Sequence, residues 1–283
     1  KQSSSLMRIL MSTASNNINI CIIGKPNSGK STLFNCLIKK NISPVGEEYG
    51  LTKQLIKDQF IYNNQSFTIV DTPGLRRKSK INDIDEIQRN REAIKLIGEV
   101  DTVLLLIDSL ESFTKQDFRL ADLAINKKKI IFFLFNKQDI LDDKNKFQSK
   151  IFKYLKNNYG QYRKVNIEFI SAKRNQRITS LLKQLINKTK IKDTKIKKSK
   201  LNKFLNYLIK QDRFPKVKKI EIRPKYIVQL NEAIPSFKVF INSKNRAPLI
   251  FKKYFDSSFR NYFKLEGIPI NFKFISSKNP YLG

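Results

Sequence analysis

Gly24-Lys25-Pro26-Asn27-Ser28-Gly29-Lys30-Ser31-Thr32 places two glycines, a lysine and two hydroxyls directly behind the apolar run 18–23. A Gly-x-x-x-x-Gly-Lys-Ser spacing between a strand and a helix is what a phosphate-cradling loop requires. Backbone N–H groups must turn inward around phosphate oxygens, and a Cβ would obstruct that approach. The N-terminus of the following helix adds partial positive charge. Lys30 is then expected to reach the β- and γ-phosphates, and the Ser31 hydroxyl to ligate Mg²⁺. Alone, the spacing also suits an ordinary strand-to-helix turn.

Three further stretches narrow the reading. Asp71-Thr72-Pro73-Gly74 ends an apolar run, where Asp71 can hold Mg²⁺ through water and Gly74 can offer its N–H to a γ-phosphate. Asn136-Lys137-Gln138-Asp139 ends another, and a carboxylate at Asp139 can accept both N1–H and the 2-amino N–H of guanine, donors that adenine lacks. Ser171-Ala172-Lys173 follows the last apolar run of this series, placed for a backbone N–H to meet the guanine O6. The chain has nine glycines, and Gly24, Gly29 and Gly74 fall where a phosphate site needs them.

Elements that could position these residues are legible in the hydrophobic pattern. Strands are expected at 18–24, 66–71, 102–108, 130–136 and 165–171, with helices at 32–38, 84–97, 115–125 and 147–157 between them. Short apolar runs separated by helices predict a mostly parallel, doubly wound sheet covered on both faces. Such sheets bind ligands at the carboxyl ends of their strands. Residues 188–200 are too charged to pack and read as a linker or a helix-terminal run. Beyond them the pattern predicts helix 200–211, strands 225–230 and 237–242, helix 248–263 and strand 268–274, a small α+β unit. The expected organisation is a tail or linker over 1–15, a nucleotide-binding domain over 16–190, a basic linker over 191–199 and the small domain over 200–283.

Composition bounds the partners. Fifty-six basic against 24 acidic residues give a net charge of +32, which favours a polyanion such as nucleic acid; a Lys-, Asn- and Ile-rich composition of the kind an A/T-rich genome produces is the other reading. Residues 195–283 carry 21 Lys or Arg and five Asp or Glu, so under a third of the chain holds half the excess. Its aromatics fall mostly at core spacing on the last helix and read mainly as packing. With no histidine and two cysteines, zinc chemistry and His-based acid–base catalysis are excluded. Cys21 and Cys36 read as core thiols of a reducing compartment. No run approaches the length of a membrane span, so a soluble, cytoplasmic protein is expected; an organellar one stays open because the first fifteen residues are basic, Ser-rich and without acids.

Gly-Lys-Pro-Asn-Ser-Gly-Lys-Ser, Asp-Thr-Pro-Gly, Asn-Lys-x-Asp and Ser-Ala-Lys, in this order, resemble the translation-factor-related GTPases. "EEYGLTKQ" (47–54), "DTPGLRRKSK" (71–80) and the tail from Phe237 to Phe274 are similar to the bacterial Der (EngA) family. The resemblance covers nearly all of the chain but only the second GTPase domain and the carboxyl-terminal KH-like domain of that family, which has two GTPase domains in tandem. It implies a P-loop GTPase domain followed by a KH-like domain, GTP and GDP as ligands, and Gly24 to Thr32, Asp71 to Gly74, Asn136, Lys137, Asp139 and Ser171 to Lys173 as contacts. It further implies assembly of the large ribosomal subunit as the task, with rRNA and ribosomal proteins as partners, and an upstream GTPase domain of the same protein.

The resemblance also bears on hydrolysis. Leu75 stands where Ras-like GTPases carry a water-orienting Gln, so turnover is expected to be slow, and the family's substitute is a monovalent cation. Asn27 is the implied K⁺ ligand, supplying charge worth about 10³–10⁵ in rate; ordinary loop chemistry is the other reading of this Asn. Thr52 is the implied switch threonine on Mg²⁺, and Asn27, Lys30, Thr52 and Gly74 are the implied catalytic set. Thr52-Lys53-Gln54 departs from the family's Thr-Arg-Asp. Arg76, Arg77 and Lys78 read as an exposed basic loop more readily than as a cis arginine finger, because three adjacent cations cannot all face one phosphate. A Gly-x-x-Gly loop, which the usual KH clamp needs, is absent from residues 195–283, so RNA contact is expected through basic surface. The readings carried forward are a slow GTPase switch, a nucleotide-gated RNA scaffold with vestigial hydrolysis, and a GTPase of another RNA task.

Overall fold

The structure, a computed structural model, describes residues 17–39, 56–71, 91, 94–111, 113–158, 165–212, 214–217, 220–243 and 246–276, without the side chains of 39, 56, 57, 71, 156–158, 217 and 220. Thr52, Thr72, Pro73, Gly74, Leu75 and Arg76 to Lys78 lie outside them, as does most of the helix expected at 84–97; residues 94–99 are helical. The chain divides into two compact units, residues 1–186 and 187–283.

The first unit is a six-stranded sheet of order β2-β3-β1-β4-β5-β6. Its strands are β1 (Ile18–Gly24), β2 (Ile56–Tyr62), β3 (Gln65–Asp71), β4 (Thr102–Asp108), β5 (Ile130–Asn136) and β6 (Asn166–Phe169). All neighbours run parallel except β2, which pairs antiparallel with β3. Every residue of β4 and β5 is buried, as strands covered on both faces must be. Helices α1 (Lys30–Lys39), α2 (Lys115–Asn126) and α3 (Lys144–Asn158) alternate with the strands, and α4 (Ile178–Asp193) follows β6. The chain leaves β1 toward β3 on one side and returns to β4 on the other, so β1 marks the switch point where ligands bind such sheets.

β2 is a strand the apolar pattern missed. Its residues alternate poorly, with only Phe60 fully buried among those whose side chains are described. The signal lay in the turn: Asn63 and Asn64 both hold positive φ (48° and 60°), the two-residue connection that matches hairpin twist.

The second unit packs α5 (Lys198–Gln211) and α6 (Leu249–Phe263) on one face of a three-stranded sheet of order β11-β10-β9, from β9 (Pro224–Leu230), β10 (Ser236–Ile241) and β11 (Asn271–Ser276). The short hairpin β7 (Lys216–Val217) and β8 (Ile220–Glu221) was also missed. Phe251, Phe255 and Phe259 are wholly buried at helical spacing on α6, and Phe255 lies within ring contact of Phe204, Phe272 and Phe274. The strand expected from Ile268 begins instead at Asn271, after Pro269, which has no N–H for a ladder. Part of the expected linker is helix: α4 runs to Asp193, with Lys190 and Lys192 in its last turn, where cations complement the helix dipole. Four residues then separate it from α5. Among the described residues, no helix is long and apolar enough to cross a membrane.

Candidate nucleotide-binding site

The loop from Gly24 to Lys30 is bent by three left-handed residues, Gly24 (φ 146°), Asn27 (φ 62°) and Gly29 (φ 98°). A Cβ on Gly24 would collide with the Leu106 carbonyl of β4, and one on Gly29 with the Asn136 side chain of β5. Both glycines are thus fixed by neighbouring strands as well as by backbone angle. Asn27 is exposed in a conformation that Asn tolerates, which satisfies its loop reading whatever else it does.

The loop is held in shape from within. The Lys25 carbonyl accepts from Lys30 Nζ at 2.5 Å and from Ser28 Oγ at 2.9 Å. Lys25 Nζ meets Glu111 Oε2 at 3.1 Å and the buried Asp117 Oδ2 at 3.8 Å. Asp117 in turn accepts from the amide and hydroxyl of Thr114, at the start of α2. Pro26, Ser31 and Thr32 are exposed, with Ser31 and Thr32 in the first turn of α1.

Asn136 joins what the sequence presents as three separate stretches. Its Nδ2 donates to the Ser28 carbonyl at 2.9 Å, and its Oδ1 accepts the Ala172 N–H at 2.9 Å. Asn136 is 3% exposed, so losing it would leave two buried groups unpaired. β5 lies level with β4, pairing Asn136 with Asp108. That register brings Lys137 Nζ to 2.5 Å from Asp108 Oδ2. Ser109 Oγ donates to the Asn136 carbonyl at 2.5 Å and accepts from Gln138 Nε2 at 2.8 Å.

Lys137 takes a left-handed conformation (φ 67°) that turns the chain into the short helix Gln138–Ile140. Asp139 is left half-buried, with the Ser171 hydroxyl donating to its carboxylate. That hydrogen bond, joined by its own backbone and the nearby Arg174 and Lys173, holds the carboxyl below its ordinary range. Ser171 is fully buried, and its Oγ also accepts the Arg174 N–H at 3.1 Å. The amides of Ser171 and Ala172 are engaged by Gln176 and Asn136, so two of the three N–H groups offered by this stretch serve the protein itself. Lys173 is exposed.

The structure therefore brings together Gly24 to Thr32, Asn136, Lys137, Asp139 and Ser171 to Lys173. Asp71 is described by its backbone at the end of β3, beyond Val70, which is level with Cys21 of β1. Among the described residues, no group of three His, Cys, Asp or Glu is placed to hold a metal. The sequence reading missed Asp108, Ser109, Glu111 and Asp117; a polar residue ending the apolar run of β4 was the available signal for Asp108. Cys36 is half-buried, not a core thiol, and its Sγ lies 3.3 Å from Asn175 Oδ1. Burial pushes the Cys21 thiol up to about 12.

A glycine-bent loop between β1 and α1 at the switch point of a parallel sheet, with Asn136 tying it to a carboxylate-bearing loop, defines a P-loop GTPase domain. Residues 19–137 match the family described as 50S ribosome-binding GTPase, and residues 195–274 match the carboxyl-terminal KH-domain-like region of EngA bacterial GTPases. These two matches, in this order along the chain, make it similar to the EngA, or Der, GTPases. It is 33% identical over 268 residues to GTPase Der of Rickettsia akari (strain Hartford), and likewise to that of Rickettsia prowazekii (strain Madrid E), covering 94% of this chain and 60% of each relative. The chain thus spans less than two thirds of the relatives it matches. Among solved structures, Era from Aquifex aeolicus bound to GDP.AlF4- aligns at a TM-score of 0.47 with 19% identity over 94% of either chain.

Proposed function

We propose that the chain binds and hydrolyses GTP as a conformational switch in assembly of the large ribosomal subunit, with rRNA and ribosomal proteins as partners. The observation that carries the nucleotide reading is Asn136, which bonds to both Ser28 and Ala172 and so makes the phosphate loop and the base loops one rigid frame. In this reading the amides of residues 24–30 and Lys30 Nζ hold the phosphates. The Asp139 carboxylate, kept ionised by Ser171, accepts N1–H and the 2-amino group of guanine. The O6 contact passes to the Lys173 amide, because those of Ser171 and Ala172 are engaged.

The loop fits a triphosphate, since Gly24 and Gly29 let it lie close against the Leu106 carbonyl and the Asn136 side chain, where a Cβ would collide, and hold the positive φ angles that bend a phosphate-cradling backbone. Ser31 and Asp71 would hold Mg²⁺ with Thr52, Asp71 through water, and the ion would neutralise developing charge on the phosphates. Asn27, exposed at the loop apex, would hold K⁺, which takes the place of an arginine finger. With leucine at position 75, hydrolysis is slow until that charge is supplied. The match of residues 19–137 to a family described as 50S ribosome-binding GTPase and the strong positive charge support the ribosomal task.

The test has two arms. Asp139→Asn should move preference from GTP toward xanthosine triphosphate by about 10²-fold or more; unchanged preference refutes the base assignment. Phosphate release, followed in K⁺ and in Na⁺ with large-subunit particles present, should be faster in K⁺. Release at background under all these conditions leaves a nucleotide-gated scaffold in place of an enzyme.

A further inference from the structure

One face of the β9–β10–β11 sheet carries the aromatic core on α5 and α6, and the other face is not covered by any described element of that unit. Strand register sorts the residues. Ile227, Val239 and Phe274 share a row on the helix side, with Gln229, Phe237 and Phe272 beside it. The opposite face presents Tyr226, Phe240 and Ile275 in one row, and Val228, Lys238 and Lys273 in the next. Tyr226 is 38% and Ile275 37% exposed, large values for such side chains on a sheet face. The rings of Tyr226 and Phe240 lie 6.1 Å apart at 40°.

Cations frame this row. Lys198 Nζ, from the start of α5, stands over one face of the Tyr226 ring, 5.7 Å from its centre. Lys238 is exposed in the adjoining row near the Glu232 carboxylate, which engages Lys273 at 2.6 Å. Along the free edge of β9 runs a cleft of about 250 Å³, lined by Lys195, Ile196, Lys198, Tyr226 and Gln229 among others. The Gln229 side chain accepts the Ile196 N–H at 2.8 Å, which fixes the cleft wall. A row with one exposed ring, Tyr226, beside the half-buried Phe240, with lysines on two sides, has the composition that binds unpaired bases: rings take the base faces, ammonium groups the phosphates. A duplex keeps those faces stacked inside and offers only its backbone and grooves. The unit has no Gly-x-x-Gly loop, since residues 195–283 contain only Gly267 and Gly283, so the backbone clamp usual in KH folds is not the alternative route.

We propose that this open sheet face, centred on Tyr226 and Phe240 and flanked by Lys198 and Lys238, is a binding site for single-stranded RNA, with at least one unpaired base stacked on Tyr226. The inference rests on the reading of the chain as an RNA-binding GTPase and assigns that contact to a particular surface. The experiment uses the full chain and a short fluorescent oligoribonucleotide, single-stranded or annealed to its complement. Tyr226→Ala should weaken single-strand binding about tenfold or more, and leave the duplex and GTP affinities unchanged. Tyr226→Phe should bind as the parent does. Tyr226→Leu, which keeps the apolar cover of the sheet, should lose binding as Tyr226→Ala does and guards against a folding artefact. Lys198→Gln should lower the slope of log affinity against log salt by about 0.7, one phosphate contact on a single strand, while Tyr226→Ala leaves the slope intact. Equal single-strand binding by Tyr226→Ala, Tyr226→Leu and the parent overturns the site but spares the RNA reading, leaving the face to a protein partner. A parent chain that binds neither form of RNA overturns both.

Discussion

Asp139 and Ser171 show how far single residues were readable. Their types and order pointed to a guanine carboxylate and a nearby loop, but the hydroxyl-to-carboxylate bond between them depends on β5 and β6 lying side by side. The Asp108–Lys137 pair was invisible for the same reason, since only the β4–β5 register makes it. The bond has a pH consequence. It holds Asp139 below its unfolded value, so the unfolded chain takes up the proton first. Its contribution is complete above the ordinary carboxylate range and is lost as pH falls through the lower, folded-state value. Guanine nucleotide affinity should therefore stay level from neutral pH down through that range. Ser171→Ala should shift its acidic decline to higher pH, as isothermal titration at several pH values would record; an unmoved decline would mean that Ser171 does not set the ionisation of Asp139.

At the scale of elements, the strongly periodic segments were legible and the polar ones were not. β4 and β5 are nearly continuous apolar runs and β1 is one broken only by Asn19; all three belong in the middle of a sheet, and their sequence and structural limits coincide. β2 is an edge strand, paired on one side only, and hides in a stretch where Lys57, Asp58 and Gln59 interrupt the pattern. The spacing of Phe251, Phe255 and Phe259 on α6 identified the core of the second unit directly, because a repeat of four keeps side chains on one helical face. Phe255→Ala should cost about 3–5 kcal/mol, seen as a lowered denaturation midpoint of the second unit with nucleotide binding by the first retained. A midpoint shift of less than a third of that would show that the aromatic cluster closes around the gap.

Across the whole molecule, the change of texture near residue 188 was visible in charge alone, but charge left a linker and a helix-terminal run both open, since a run of lysines can be solvated in a helix as well as in a tether; the helix running to Asp193 decides for the second over the first residues of that run. The net charge of +32 left two origins open, a polyanionic partner or drift in composition. Salt separates them: an RNA complex held by six phosphates should lose roughly 10³-fold in affinity between about 50 and 200 mM salt, whereas an incidental charge would give weak, shallow dependence. The lysines of the second unit have another consequence. β9 and β11 are both outer strands of a short sheet, each with a row of backbone groups that a second chain could extend. Lys225 on β9 and Lys273 on β11 put a lysine on each outer strand, a feature that disfavours stacking of copies into fibrils during the interval when newly made chains are crowded together. Extending the charge neutralisation from Lys198 to Lys225 and Lys273 would therefore also remove a guard against self-association, and a variant that precipitates would be reporting on its edges.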